Sequence, residues 1–281
     1  MTRLDGARIG LLEARLSSEL AALVRREGGE PVCAPAVSEA PLDVASLLPV
    51  LVDELRQRRS RIVVFLTGAG ATSLLDQARE SGMYESLADA LRMATTVCRG
   101  PKPAAVLRKH GIQVHINARS PHTTAELLEV LPPDLVAAQS VVLLHDGGGN
   151  PMLVEELHAR GARVLELRSY EWRLPADVEP IENLIAELVE GRLDAIAFTN
   201  QVQVRHLFQI GARSGQAAAL RDALRHRTVV ASIGPTCSHA LDEHGVPPHV
   251  VASPPKMRPL VSAIGEHLAA RRGHPTADST P

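Results

Sequence analysis

The chain has 281 residues, with 30 basic and 32 acidic side chains that leave a net charge of −2. This length is sufficient for two domains of ordinary size, each with its own core. The balanced charge and the scarcity of aromatic residues, three Phe, two Tyr and one Trp, argue against a nucleic-acid-binding protein, which usually carries a basic excess or rows of stacking aromatic side chains.

The N-terminal segment and the cysteines indicate the cellular compartment of the protein, and the C-terminal segment indicates where its ordered structure ends. The N-terminal segment MTRLDGARIG lacks the apolar stretch of a signal peptide, and no run of about 18 apolar residues occurs elsewhere, so the sequence predicts a cytoplasmic protein without membrane contact. The three cysteines, Cys33, Cys98 and Cys237, lack C-x-x-C spacing, which indicates unpaired thiols in a reducing compartment. The small and polar residues 272–281 are predicted to form a disordered tail.

The first half of the chain alternates apolar strands with amphipathic helices. Residues 8–37 read as a strand, a turn, a helix and a second strand, and residues 61–82 read as a strand followed by a helix. Residues 95–112, TTVCRGPKPAAVLRKHGI, read as a strand, a Gly-Pro corner and a helix that ends in His-Gly. Such alternation is typical of a parallel sheet with both faces covered.

The second half repeats the three segments in the same order. Residues 141–170 resemble residues 8–37, residues 195–215 resemble 61–82, and VVASIGPTCSHALDEHGV, residues 229–246, resembles 95–112. Each pair is separated by 133 or 134 residues. A fixed long offset indicates a duplicated domain, so we predict an α/β protein with two doubly wound parallel-sheet domains.

Ligands of such sheets bind outside the carboxyl ends of the strands, so the loops that follow the strands are the candidate site. Thr67, Thr199 and Thr236 are each predicted to lie where a helix begins, and Pro101 and Pro235 preset a first helical turn. Free N–H groups at a helix N-terminus, with the helix dipole, attract anions. The alternative interpretation is that these threonines only cap their helices.

Cations near the same loops support an anionic ligand. Only three of the 30 basic residues are lysines, and Lys102 and Lys256 both lie in proline-flanked loops. Together with nearby arginines they are placed to surround the strand ends with positive charge: Arg15, Arg99, Arg119 and Arg258. Ordinary solvated side chains are the alternative for each. The combined pattern predicts a polyanionic small molecule bound by backbone amides and a few cations.

Familiar catalytic and cofactor motifs are missing from the sequence. The segment GAGATS has Ser73 where a dinucleotide fingerprint needs its third glycine, and neither a P-loop nor a G-x-S-x-G elbow occurs. His239, His244 and His249 recur every five residues, a spacing that does not place metal ligands on one helix face. We therefore interpret them as surface histidines and predict no metal or other cofactor.

Taken in order, these segments resemble the uroporphyrinogen-III synthase family over about residues 7–268. The resemblance lies in RGPKPAAVLRKHGI, HDGGGNPMLVEELHARGARVLELRSYEWRLP, LDAIAFTNQVQVRHLF, ASIGPTCSHALDEHGV and PPKMRPLVSAI. It implies a chain crossover that the repeat alone does not indicate. One domain would combine residues 7–36 with 172–271, the other would span residues 40–168, and a two-stranded linker near residues 36–39 and 168–172 would join them across a cleft.

The resemblance also implies a reaction. The substrate would be hydroxymethylbilane, a linear tetrapyrrole with eight carboxylates, and the enzyme a lyase of haem biosynthesis that closes it to uroporphyrinogen III with inversion of ring D. No cofactor would take part. Apart from the resemblance, we expect a monomer that binds neither nucleic acid nor a membrane. Tyr170 matches the candidate general acid of the family, although packing of the linker by Tyr170 and Trp172 is the alternative.

The substrate-binding residues follow partly from the loops and partly from the resemblance. They are Arg15, Thr67, Gly68, Arg99, Lys102, Thr199, Gln203, Thr236, Cys237 and Lys256. Cys237 stands where relatives often have a hydroxyl side chain, and His145-Asp146-Gly147 departs from the small residues usual there. A non-catalytic sensor of the same fold is the alternative function, whereas a periplasmic-type binding protein is disfavoured because a signal peptide is missing.

Overall fold

The computed structural model of the protein describes residues 4–273, apart from residues 15, 58 and 59. The strands, numbered in chain order, are β1 (Arg8–Leu11), β2 (Glu30–Cys33), β3 (Ser38–Pro41), β4 (Ser60–Phe65), β5 (Thr95–Cys98), β6 (Ile116–Asn117), β7 (Ser140–Leu144), β8 (Arg163–Leu167), β9 (Tyr170–Arg173), β10 (Ala195–Phe198), β11 (Val229–Ser232) and β12 (Val250–Val251).

The α-helices are α1 (Ser17–Arg26), α2 (Leu48–Arg56), α3 (Gly68–Glu80), α4 (Tyr84–Arg92), α5 (Pro101–Lys109), α6 (Thr124–Glu129), α7 (Pro133–Val136), α8 (Pro151–Ala159), α9 (Glu179–Val189), α10 (Gln201–Arg213), α11 (Ala217–His226), α12 (Pro235–Glu243) and α13 (Met257–Gly273). A short 3-10 helix, Ala45–Leu47, precedes α2. Arg272 and Gly273, which were predicted to begin a disordered tail, are the last residues of α13, and the rest of that predicted tail lies outside the described residues.

The contacts of the chain divide it into two compact units. Unit 1 contains Met1–Ser38 and Arg173–Pro281, and unit 2 contains Glu39–Trp172. The strands β3 and β9 form a two-stranded sheet, and the division falls within both of them. The predicted domain ranges, 7–36 with 172–271 and 40–168, stay a prediction.

Each unit is built on a five-stranded sheet of parallel neighbours. The sheet of unit 1 has the order β12-β11-β10-β1-β2, and that of unit 2 has the order β6-β5-β4-β7-β8. All registered pairs in both sheets run parallel. The predicted α/β class, with two doubly wound parallel sheets and a two-stranded linker, is confirmed.

Both sheets are buried on two faces, which explains their continuous apolar strands. In β4, Val63 and Phe65 pack into one cluster with α2, α3 and α4, whereas Ile62 and Val64 pack into another with α6, α7 and α8. Because successive strand residues point to opposite faces, a strand covered on both sides needs apolar residues at every position. Strand β10 shows the same division, with Phe198 on one face and Ala197 on the other.

A histidine fixes the short edge strand of each sheet. In unit 1, the ring nitrogen Nδ1 of His249 accepts the backbone N–H of Val230 at 3.0 Å, and the N–H of His249 donates to the carbonyl of Val230 at 2.8 Å. In unit 2, His115 makes the same two bonds to Thr96, at 3.2 and 3.0 Å. Each histidine therefore extends the backbone ladder with its side chain, just before the two-residue strands β12 and β6.

Candidate functional site

In unit 2, three helices begin directly after neighbouring strands. Helices α3, α5 and α8 follow β4, β5 and β7, so their N-termini lie at the same edge of the sheet. A Cβ atom on Gly68 would lie 3.3 Å from the backbone of Lys102, which shows that α3 and α5 begin side by side. Because the first N–H groups of a helix have no partner within it, this edge is suited to binding anions.

Helix α5 contributes less backbone to this edge than its position suggests. Pro101 and Pro103 have no N–H group, so Lys102 supplies the one amide hydrogen among the first three residues of the helix. The side chain of Lys102 is exposed. An anion at this helix would therefore meet the amide and the ammonium group of the same residue.

Of the three threonines predicted to lie where a helix begins, Thr67 is the one that occupies a cap position. Its hydroxyl oxygen accepts the N–H of Gly70 at 3.0 Å at the start of α3. Thr199 and Thr236 also lie where helices begin, but they do not cap them: Asn200 caps α10, and Thr236 is the second residue of α12 after Gly234 and Pro235. The boundary positions are occupied by Asn200, one residue after Thr199, and by Gly234, two residues before Thr236.

Tyr170 is buried in unit 2 against the start of helix α3. The side chain is 3% exposed, and its hydroxyl lies 3.0 Å from the hydroxyl of Thr67. Its ring makes an edge-on contact with Trp172, with 5.1 Å between centroids. Burial raises the pKa of the Tyr170 phenol, and the carboxylates of Asp146 and Glu39 add to this, while hydrogen bonds from Thr67 and Gly147 act in the opposite direction.

An ion pair lies beside this phenol. The guanidinium of Arg99, after β5, is 3.4 Å from a carboxylate oxygen of Asp146, after β7. The other carboxylate oxygen of Asp146 accepts the N–H of Gly148 at 3.3 Å. The side chains of Arg99 and Asp146 are 24% and 12% exposed. The charge of Arg99 is thus partly balanced within the protein, a role for Asp146 that sequence reasoning missed.

The buried side chain of His145 precedes Asp146. Its Nε2 lies 2.7 Å from a carboxylate oxygen of Glu166, but in a direction that does not give a hydrogen bond, and its Nδ1 has no partner among the described residues. Glu166 lines a small cavity of about 240 Å³ at the start of α8, together with Gly149 and Arg168.

In the loop after β7, close packing against Trp172 requires glycine at position 147. A Cβ atom on Gly147 would lie 2.6 Å from the Trp172 ring and 2.8 Å from the Trp172 nitrogen. The N–H of Trp172 donates to the carbonyl of Gly147 at 3.2 Å. Glycine at this position therefore allows the backbone of β9, which carries Tyr170, to lie directly on the loop.

In unit 1, the corresponding edge holds a carboxylate of its own. Glu13, just after β1, accepts hydrogen bonds from the hydroxyl of Thr199, from the side-chain amide of Gln203 at 3.3 Å and from the N–H of Leu16 at 3.3 Å. Gln203 also donates to the Thr199 hydroxyl at 2.9 Å and accepts the Thr199 N–H at 2.8 Å. Thr199 and Gln203, which were predicted to bind a substrate anion, are thus already hydrogen-bonded to the carboxylate of Glu13.

The remaining predicted residues of unit 1 are Arg15, Thr236, Cys237 and Lys256. The thiol of Cys237 is buried and lies 3.7 Å from the carbonyl of Phe198, and burial raises its pKa to about 11. Its side chain is therefore part of the core, and a contact with ligand would have to come from its backbone. Thr236 and Lys256 are exposed. Arg15 lies outside the described residues.

Comparisons with known proteins identify the family. A model of the family described as uroporphyrinogen-III synthase HemD matches residues 18–262. The chain belongs to the uroporphyrinogen-III synthase family. It is 31% identical over 231 residues to a putative uroporphyrinogen-III synthase of Methanothermobacter thermautotrophicus, a match that covers 82% of this chain and 86% of that protein.

Two further relatives of this synthase-family chain are informative. It is 29% identical over 241 residues to the uncharacterized protein YjjA of Bacillus subtilis, covering 86% of this chain and 88% of YjjA. Its fold matches a crystal structure of a mutant uroporphyrinogen III synthase from the extremely thermophilic bacterium Thermus thermophilus with a TM-score of 0.70 and 26% identity, over 96% of this chain and all of that one. Both matches run through most of each chain, so they include both units.

Two searches of the described residues concern metals and membranes. Within residues 4–14, 16–57 and 60–273, no three His, Cys, Asp or Glu side chains come together as a metal site would require. Over the same ranges, none of the helices has the length and apolar character needed to cross a membrane.

Proposed function

We propose that the protein is an active uroporphyrinogen-III synthase. It would close hydroxymethylbilane to uroporphyrinogen III with inversion of ring D and loss of water, as a lyase of tetrapyrrole biosynthesis. The observation that carries this proposal is the Tyr170 phenol held against Thr67 at the start of α3, beside the N-terminus of α5. A proton donor thereby lies next to an edge suited to carboxylates, which is the combination that this substrate requires.

Unit 2 supplies the more favourable surface for the carboxylates of the substrate. Gly68, the amide and ammonium of Lys102, and the partly exposed Arg99 lie at its strand ends. In unit 1 the donors Thr199 and Gln203 are already bonded to Glu13. We therefore place the main anion contacts in unit 2, bound by backbone amides and two cations.

The proposed chemistry begins with loss of the terminal hydroxyl. The bond between the methylene carbon and oxygen breaks, the electron pair leaves with the oxygen, and the phenol proton of Tyr170 converts the leaving group to water. The remaining azafulvenium cation is attacked by the ring carbon at the other end of the chain, and rearrangement through a spiro intermediate inverts ring D. The proton released on final ring closure returns to the phenolate, so the enzyme ends unchanged.

The isomer composition of the product tests this function. Hydroxymethylbilane closes without an enzyme to the uninverted isomer I, so the assay is oxidation of the product followed by separation of isomers I and III. We expect the folded protein to shift the product to isomer III. Product that stays isomer I in the presence of folded protein would reject the enzyme.

A non-catalytic ligand-sensing protein is the second candidate, and the burial of Tyr170 favours it. At 3% exposure, with a hydrogen bond to Thr67 and a ring contact to Trp172, this side chain has a structural role irrespective of chemistry. Such a sensor would bind the bilane but leave isomer I as the product. Calorimetry at low temperature would measure this binding.

A further inference from the structure

The hydroxyl of Thr67 makes two contacts with different partners. Its oxygen accepts the N–H of Gly70 at 3.0 Å and lies 3.0 Å from the hydroxyl of Tyr170. A hydroxyl group has one hydrogen to donate and two lone pairs. With one lone pair used by Gly70, the hydrogen of Thr67 remains available for the oxygen of Tyr170.

From this geometry we propose that Thr67 is a positioning residue for Tyr170 and does not itself bind substrate. It fixes the phenol at the start of α3 and donates a hydrogen bond to the phenolate that remains once Tyr170 has given its proton to the leaving hydroxyl. This inference rests on the proposed function, and it replaces the substrate-binding role that the sequence suggested for Thr67.

The surroundings of Tyr170 explain why such a donor is needed. The phenol is buried, and the carboxylates of Asp146 and Glu39 both disfavour a negative charge on it, while Arg99 is paired with Asp146. The backbone of Gly147 is the other group that favours the phenolate. In such a place a fixed donor directed at the developing charge stabilises the transition state.

The backbone around Thr67 leaves space for this contact. A Cβ atom on Gly70 would lie 3.2 Å from the Thr67 oxygen, 3.2 Å from the carbonyl of His145 and 3.5 Å from the Tyr170 ring. Glycine at position 70 therefore lets the phenol approach the helix start closely. The cap bond to Gly70 holds the threonine in the rotamer that this approach requires.

The ionisation of Tyr170 can be measured without any substrate. The chain has two tyrosines, so Tyr84→Phe leaves Tyr170 alone. Growth with 3-fluorotyrosine, a more acidic phenol, lowers the pH at which residue 170 titrates and gives one ¹⁹F resonance. In this background we expect Thr67→Val to raise the pKa of residue 170 by about one unit, because a hydrogen bond to the charged form is lost, and Thr67→Ser to leave it unchanged.

A matched control separates this effect from the loss of a helix cap. Asn200 is the corresponding cap of α10, where its side chain accepts the N–H of Val202 at 2.8 Å. Asn200→Ala removes a cap with no tyrosine beside it, so it should lower stability without moving the ¹⁹F titration. An unchanged titration in Thr67→Val would overturn the inference, whether or not the protein makes isomer III.

Kinetics provide the second test. With active enzyme, Thr67→Val should lower kcat about tenfold with little change in KM, and Thr67→Ser should restore it. In the Tyr170→Phe background, Thr67→Val should cause no further loss, since the threonine acts through the phenol. A tenfold loss that persists in that background, or a loss confined to KM, would show that Thr67 acts elsewhere. If the parent protein made no isomer III, the proposed function would be rejected. The hydrogen bond from Thr67 to the ionised Tyr170 would still be tested by the ¹⁹F titration.

Discussion

The two sheets follow one plan, but their carboxyl ends carry different chemistry. Strands β10 and β4 occupy the centre of the two sheets, and Phe198 and Phe65 are their last residues. Glu13 and Asp146, 133 residues apart, both come after the next strand of their sheets. The duplication thus placed an acidic side chain at the same position of each unit.

What these two carboxylates contact distinguishes the units. Asp146 lies beside the guanidinium of Arg99 and near the phenol of Tyr170. Glu13 accepts from the uncharged groups of Thr199, Gln203 and Leu16. We conclude that a shared framework of strands and helices does not imply the same polar contacts at the carboxyl ends of the two sheets.

The largest expected effect is in unit 2 and concerns Tyr170. Tyr170→Phe keeps the ring and its contact with Trp172 but removes the hydroxyl, so we expect kcat to fall by about 10²-fold, at the low end of general-acid contributions. KM and melting temperature should change little, and the residual product should remain isomer III. Full kcat in Tyr170→Phe, together with lost stability in Tyr170→Ala, would assign the residue to packing.

The next largest effect is on stability, and it distinguishes the loop after β7 from the loop after β1. Gly147→Ala places a Cβ atom 2.8 Å from the Trp172 nitrogen, so the free energy of unfolding should fall by about 2 kcal/mol, a typical cost of overpacking. Unit 1 has the exposed Ala14 at the corresponding position, and Ala14→Gly should cost much less. Denaturant unfolding of both variants measures the difference, and equal losses would show that the close packing on Gly147 is unimportant.

A smaller effect is expected at Lys102, at the start of α5. Lys102→Ala should raise KM about threefold and leave kcat nearly unchanged, because an exposed charge attracts peripheral carboxylates equally in ground and transition states. Lys109→Ala, at the other end of the same helix, is the matched control and should behave as the parent does. Steady-state kinetics would contradict the assignment if Lys102→Ala lowered kcat alone.

The smallest effect concerns the edge of unit 1. Burial lowers the pKa of His249, while a hydrogen bond with the backbone of Arg225 acts in the opposite direction, and the neutral ring accepts the N–H of Val230 at 3.0 Å. A folded-state pKa below the unfolded value means that this stabilisation is present above about pH 6.5 and is lost as the pH falls below it. His249→Gln should therefore reduce the free energy of unfolding by about 0.5 kcal/mol at pH 7.5 and by less at pH 5.5. A difference that is the same at both values would exclude titration of this histidine.

Much of the fold could be predicted from sequence because its signals are local. Apolar strands buried on both faces, helices such as α3 with buried Ala71, Leu74, Leu75 and Ala78 on one side, and Gly-Pro corners at Pro101 and Pro235 each depend on a few neighbouring residues. The constant offset of 133 or 134 residues indicated that the two halves share one architecture.

The partners within the sites could not be predicted, since they depend on contacts far apart in sequence. Thr199 and Glu13 are 186 residues apart, and Tyr170 and Thr67 are 103 apart. These pairs meet because β1 lies beside β10 and because β9 lies on the loop at Gly147.

The sequence alone determined the strands, the helices and the polar character of the loops, because these follow from local periodicity. Only the tertiary structure decided which carboxylate meets a cation, which threonine meets the phenol and which predicted donors are already engaged, because side-chain pairing depends on how distant strands are ordered in the sheets.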